Sequence, residues 1–211
     1  MEAQQQQAQN TGAKGFVFEE VMGEMLGTLK HSFESEGFLV TVRSEQEIRD
    51  HFQEQSLNGV DHMVEMKRGQ DHYLLFFQEK WKLITNQREA SQFLDCCARI
   101  RGRMTGFQGT IFRLWITRTV PTENGAKTLE EGGAYVVQSS TSMSMLALNA
   151  GLYMCELLGM RSSAQRMILT MPNLLAYEVQ LEPKTRDLDV KQIGQLPMKA
   201  SKLKIAVRKN E

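Results

Sequence analysis

The chain has 211 residues, with 25 Lys+Arg against 25 Asp+Glu, 41% hydrophobic residues, three Cys and four Pro, enough to bury the core of one domain. That apolar share excludes wholesale disorder, and three cysteines without CxxC or Cys/His spacing exclude a disulfide scaffold and a structural zinc site. The zero net charge opposes a uniformly basic duplex binder only on average: residues 1–60 carry 4 basic and 10 acidic side chains, 61–120 carry 10 and 6, 121–190 carry 5 and 8, and 191–211 carry 6 and 1.

Residues 1–14 are Gln-rich and nearly free of apolar side chains, which predicts a flexible arm. Their polarity also excludes the apolar core of a signal peptide. From Phe16, the residues Phe18, Val21, Met22, Met25, Leu26 and Leu29 recur at three-and-four spacing, a helix with one buried face that Gly37 ends. Residues 38–42 (FLVTV) predict a strand, and Ser44 to Phe52 an acidic helical turn. Alternation over Val60 to Met66 predicts a half-buried strand, and residues 72–82 a longer strand after the turn at Gly69 to Asp71.

Helical spacing returns over Gln87 to Arg101, through Ala90, Phe93, Leu94, Cys97 and Ile100. Residues 110–120 predict a strand stopped by Pro121, Glu123 to Glu131 a helix closed by Gly132 and Gly133, residues 134–138 (AYVVQ) a buried strand, and Ser142 to Leu158 an apolar helix. The polar Asn149 and Glu156 make that last helix a core element and not a membrane span. Strands alternating with helices imply parallel pairing in this half. After Gly159 the residues Arg166 to Leu169 and Leu174 to Leu181 suggest a pair of strands, and a polar, finally basic tail follows Pro183. The organisation expected is an arm (1–14), a domain (15–160), an extension (161–190) and a basic tail (191–211).

The chemistry concentrates between Asp61 and Lys80. Residues two apart in a strand share a face, so Gln78 and Lys80 point the same way, and a hairpin would bring Asp61 to that face. A carboxylate and an amide oxygen can hold a hard divalent cation, beside a lysine that orients water or stabilises a developing anion. The sequence contains no G-x-x-x-x-G-K-[ST], G-x-G-x-x-G or G-x-S-x-G, so nucleotide-dependent and α/β-hydrolase chemistries lack their signatures.

Over residues 16–158 the chain resembles the PD-(D/E)XK nuclease superfamily, specifically its Mrr-type and Holliday junction resolvase-like branch. The resemblance rests on FEEVMGEML (18–26) in the opening helix, Gly59-Val60-Asp61, Gln78-Glu79-Lys80-Trp81, and the element order αβββαβαβα. It implies an α/β restriction endonuclease-like core with a central mixed sheet flanked by helices. It also implies Mg²⁺ or Mn²⁺ on Asp61 and Gln78, Lys80 as the catalytic lysine and Glu19 as an auxiliary acid.

The function implied is metal-dependent hydrolysis of DNA phosphodiesters. Gln78 departs from the usual Glu and leaves fewer negative ligands. The alternative is a catalytically silent nuclease fold acting as a nucleic-acid-binding or structural subunit of a larger assembly, such as a virion or nucleoprotein complex. A competing register, Glu65-Met66-Lys67 with Asp50, offers a second acid-x-lysine. Arg99, Arg101 and Arg103 are candidate DNA-phosphate contacts and equally suit a helix C-terminus. Among the histidines only His62, beside Asp61, draws notice. Reduced thiols fit an intracellular, reducing compartment, cytoplasm or nucleus, and the assembly state, homodimer or larger, stays open.

Overall fold

The computed structural model describes residues 2–54, 57, 59–82, 85–139 and 142–181, with side chains from residue 15 onward; the extension beyond 181 and the expected basic tail lie outside the described residues. The chain is an α/β fold with the elements α1 (Glu2–Glu34), β1 (Leu39–Ser44), α2 (Glu45–Phe52), β2 (His62–Arg68), β3 (Asp71–Lys80), α3 (Gln87–Arg103), β4 (Thr110–Thr117), α4 (Glu123–Glu131), β5 (Ala134–Gln138), α5 (Met143–Leu157) and α6 (Arg161–Leu181).

The five strands lie side by side in sequence order. β1, β2 and β3 pair antiparallel, while β4 is parallel to β3 and β5 to β4, so the sheet is mixed. The antiparallel part follows from the two-residue turn Gly69–Gln70, where Gly69 adopts φ 58° and Arg68 pairs with Asp71. The parallel part follows from the crossovers through α3 and α4.

Helices cover both faces. On one, α1, α5 and α6 bury Phe18, Met22, Leu26 and Leu146 against Val64, Leu75, Phe77 and Ile116 of the strands. On the other, Ile48 of α2, Phe93 and Ile100 of α3 and Leu129 of α4 close over Met63, Leu74, Phe76 and Trp115. The near-continuous apolar run of β3 reflects burial from both sides.

Capping fixes where the site-bearing helices start. Ser44 and Glu47 form a capping box at α2, and Asn86 and Glu89 form another at α3. The arm expected over residues 1–14 is backbone of α1, which reaches back to Glu2.

The strand pair expected within residues 161–190 is corrected: Arg161–Leu181 is a single helix. Ser163, Met167, Leu174 and Leu181 recur at spacings of four and seven and bury one stripe against α1 and α5. Pro172 lies inside this helix on its exposed side. β-prone local composition yielded to this stripe. Among the described residues no helix is long and apolar enough to cross a membrane.

Candidate active site

The β2–β3 hairpin brings Asp61 and Gln78 together across 17 residues. The pairing of His62 with Phe77 and of Met63 with Phe76 puts Asp61 opposite Gln78 at the strand ends, and the Gln78 side-chain amide donates to Asp61 Oδ2. The backbone N–H of Glu79 donates to the same oxygen at 2.5 Å. Gly59 allows this approach: its φ is 133°, and a Cβ there would lie 2.8 Å from the Phe93 Cα of α3.

Asp61, Gln78 and Lys80 line one cleft of about 460 Å³. Glu45 from α2 and Glu89 and Gln92 from α3 complete its polar wall. Asp61 keeps some solvent contact, but burial of its carboxyl pushes the pKa up against the opposing pull of Lys80 and the Glu79 N–H. Burial and the Asp61 charge also raise Glu45, despite its place in the first turn of a helix. Glu89 is already engaged: it accepts from Lys82 and, at 3.2 Å, from the Asn86 N–H.

Glu19 belongs to α1 on the opposite side of the sheet. Its carboxyl is within electrostatic reach of Asp61, Glu79, Lys80 and His62, and burial followed by repulsion from Asp61 and Glu79 raises its pKa to about 7. The four residues of the sequence motif, Glu19, Asp61, Gln78 and Lys80, thus converge on one end of the sheet, three of them in the cleft.

Sequence reasoning missed Glu45 and Gln92, whose helices carry no motif, and gave His62 too little weight. His62 and Glu79 form a buried pair on the α1 side of the sheet, with Nδ1 2.8 Å from Oε1. Burial lowers the His62 pKa, but the adjoining carboxylates, Glu79 first, carry it up to about 9. Desolvation of Glu79 exceeds the pull of His62 and leaves its pKa at about 7. A buried histidine paired by strand alternation with a buried glutamate was the available signal.

Arg99, Arg101 and Arg103 occupy the other end of α3. Arg101 donates to the carbonyls of Met104 and Phe107, and Arg103 to that of Phe52 at 2.7 Å. Arg99 and Arg103 also meet Glu54 at 3.6 and 2.9 Å, with about half of each side chain exposed (47% and 48%). In the competing register, Glu65 lies further along β2 and is held by Lys67, His72 and Arg43, while Asp50 accepts from Gln46 on the exposed side of α2.

Among the described residues no group of three or more His, Cys, Asp or Glu side chains is placed to hold a metal ion. The donors in the cleft do fit a sparsely ligated Mg²⁺ or Mn²⁺ in kind. They are hard oxygens of Asp61, Glu45 and, on rotation of its amide, Gln78, with room for water. No family model and no curated protein matches the chain. Among solved structures it is similar to the MspJI restriction endonuclease in complex with a 27-mer oligonucleotide, at a TM-score of 0.43 and 11% identity; the match covers 92% of this chain and 39% of that one, so the chain spans about two fifths of that protein's length.

Proposed function

We propose that this protein is a metal-dependent nuclease of the PD-(D/E)XK type that hydrolyses DNA phosphodiester bonds in the cleft between β2, β3 and the first turns of α2 and α3. The observation that carries the reading is the convergence of Asp61, Gln78 and Lys80 on one cleft, with Asp61 and Gln78 in direct contact. Asp61 and Gln78 would hold Mg²⁺ or Mn²⁺. The bound ion supplies Lewis-acid activation of water and neutralisation of charge on the scissile phosphate.

The protein's own part begins with anchoring. The Glu79 N–H fixes one Asp61 oxygen, leaving the rest of the carboxylate for the cation. Lys80, on the same face as Gln78, positions the attacking water or stabilises the phosphorane charge through its ammonium. Glu19, within electrostatic reach of Asp61 and Lys80 from the α1 side of the sheet, would act on the site through its charge. Arg99 and Arg103 are assigned to phosphates distant from the cut bond, roughly 10 and 16 Å along α3 from Gln92.

A second reading, a nuclease fold serving as a non-catalytic DNA-binding subunit, is favoured by one feature: β3 presents the neutral Gln78 where a second carboxylate would strengthen metal binding. Incubation of supercoiled, linear and branched DNA with Mg²⁺ or Mn²⁺ separates the two. Cleavage by the wild type and its loss in Asp61→Ala is the expected result. Equal cleavage by both proteins, or none by either, removes the catalytic reading.

A further inference from the structure

The neutral Gln78 leaves a deficit of charge in the proposed site. Asp61 and Lys80 cancel formally, and a divalent ion bound there would have no net attraction from the two strands alone. The fold offers a remedy one strand away. In the antiparallel register of β1 with β2, Ser44 pairs with His62, so the next residues, Glu45 and Asp61, come alongside each other where the strands end. The capping box then locks the turn: the Ser44 N–H donates to Glu47 Oε2 at 2.8 Å, and the Ser44 hydroxyl accepts from the Glu47 N–H. Glu45 is therefore placed by both the sheet register and the helix start, and its side chain lines the same cleft as Asp61.

We infer that Glu45 supplies the second carboxylate of the cation site, so that a divalent ion is held between Asp61 on the sheet and Glu45 at the head of α2. Of the cleft's other acids, Glu89 is committed to Lys82 and to the Asn86 backbone, and Asp61 is the partner already assigned. A cleft of about 460 Å³ admits an ion with several waters at about 30 Å³ each. The inference rests on the nuclease reading of the cleft and adds to it the acid that β3 lacks.

Calorimetric titration of the full chain with MnCl₂ alone tests it, independently of any cleavage. The wild type should bind one ion. Asp61→Asn should abolish binding, and Glu45→Gln should weaken it by roughly 10- to 100-fold. Adding Gln78→Glu to Glu45→Gln should restore affinity to within about threefold of wild type, because either position can then provide the missing charge. Wild-type affinity in Glu45→Gln, with binding lost in Asp61→Asn, overturns the role of Glu45 and leaves the cleft reading standing. Absence of binding by the wild type, or undiminished binding by Asp61→Asn, overturns both. Should circular dichroism show Glu45→Gln unfolded, Glu45→Asp takes its place, with an intermediate loss expected and wild-type affinity contradicting the inference.

Discussion

Glu79 serves two faces of the sheet at once: its N–H holds Asp61 Oδ2 at 2.5 Å, while its side chain turns through the sheet to meet His62 Nδ1 at 2.8 Å. The candidate site is therefore braced by a buried ion pair behind it. Removing the His62 imidazole should leave Glu79 uncompensated or force it to stay protonated.

His62→Gln should accordingly destabilise the protein by roughly 2–3 kcal/mol near pH 6.5. The pKa of His62 is raised from 6.5 to about 9, so its contribution is complete below 6.5 and lost as pH rises through about 9. Chemical denaturation from pH 6 to 10 should show the gap between wild type and variant closing above pH 9. A gap that stays constant across that range contradicts the pairing.

Glu19 carries a similar sign for a different reason. Its pKa is raised from 4.5 to about 7 by burial and by the facing carboxylates, so the contribution of its protonated form is complete below 4.5 and lost as pH climbs through 7. In EDTA, Glu19→Gln should flatten the stability profile between pH 4.5 and 7. At pH 8 it should raise Tm by about 2–4 °C, the scale of 1 kcal/mol in a chain of this size. A lower Tm at pH 8 would show that the Glu19 carboxylate is stabilised, not strained.

Gly59→Ala tests the backbone that delivers Asp61. A Cβ at Gly59 would press within 2.8 Å of Phe93 Cα, at a φ of 133° that other residues rarely adopt. A loss of roughly 2–4 kcal/mol is expected by urea denaturation. The same change at Gly15, where a Cβ would meet nothing within 4 Å, should cost far less. Comparable losses at both positions would refute the close packing of α3 on this turn.

The arginine assignment is testable through salt. Arg99→Gln with Arg103→Gln should reduce the slope of log K against log salt by about 2 in fluorescence anisotropy with duplex DNA. An unchanged slope would confine both residues to their contacts with Glu54 and the Phe52 carbonyl.

Much of this was legible because period-two alternation is a strict rule. Alternation puts Gln78 and Lys80 on one face, and a hairpin turning at Gly69 would let Asp61 approach that face, as the β2–β3 pairing does. The helices and strands from Gln87 to Leu157 were equally clear, since their caps and glycines mark their ends. α6 was misread because residues 166–169 and 174–181 are β-prone locally, and only the stripe from Ser163 to Leu181, which needs α1 and α5 to bury it, reveals the helix. Glu45 was invisible for a related reason: it belongs to no motif, and only the register of β1 on β2 sets it beside Asp61.

Whether Lys80 acts on a phosphodiester in the Asp61 cleft is read from single-turnover cleavage of supercoiled plasmid in Mg²⁺ by wild type and Lys80→Ala. DNA affinity of both proteins is measured in parallel in Ca²⁺. Lys80→Ala should cleave roughly 10²- to 10³-fold more slowly, with affinity changed by less than about threefold. Equal rates for the two proteins, or no cleavage by the wild type, would contradict that role of Lys80.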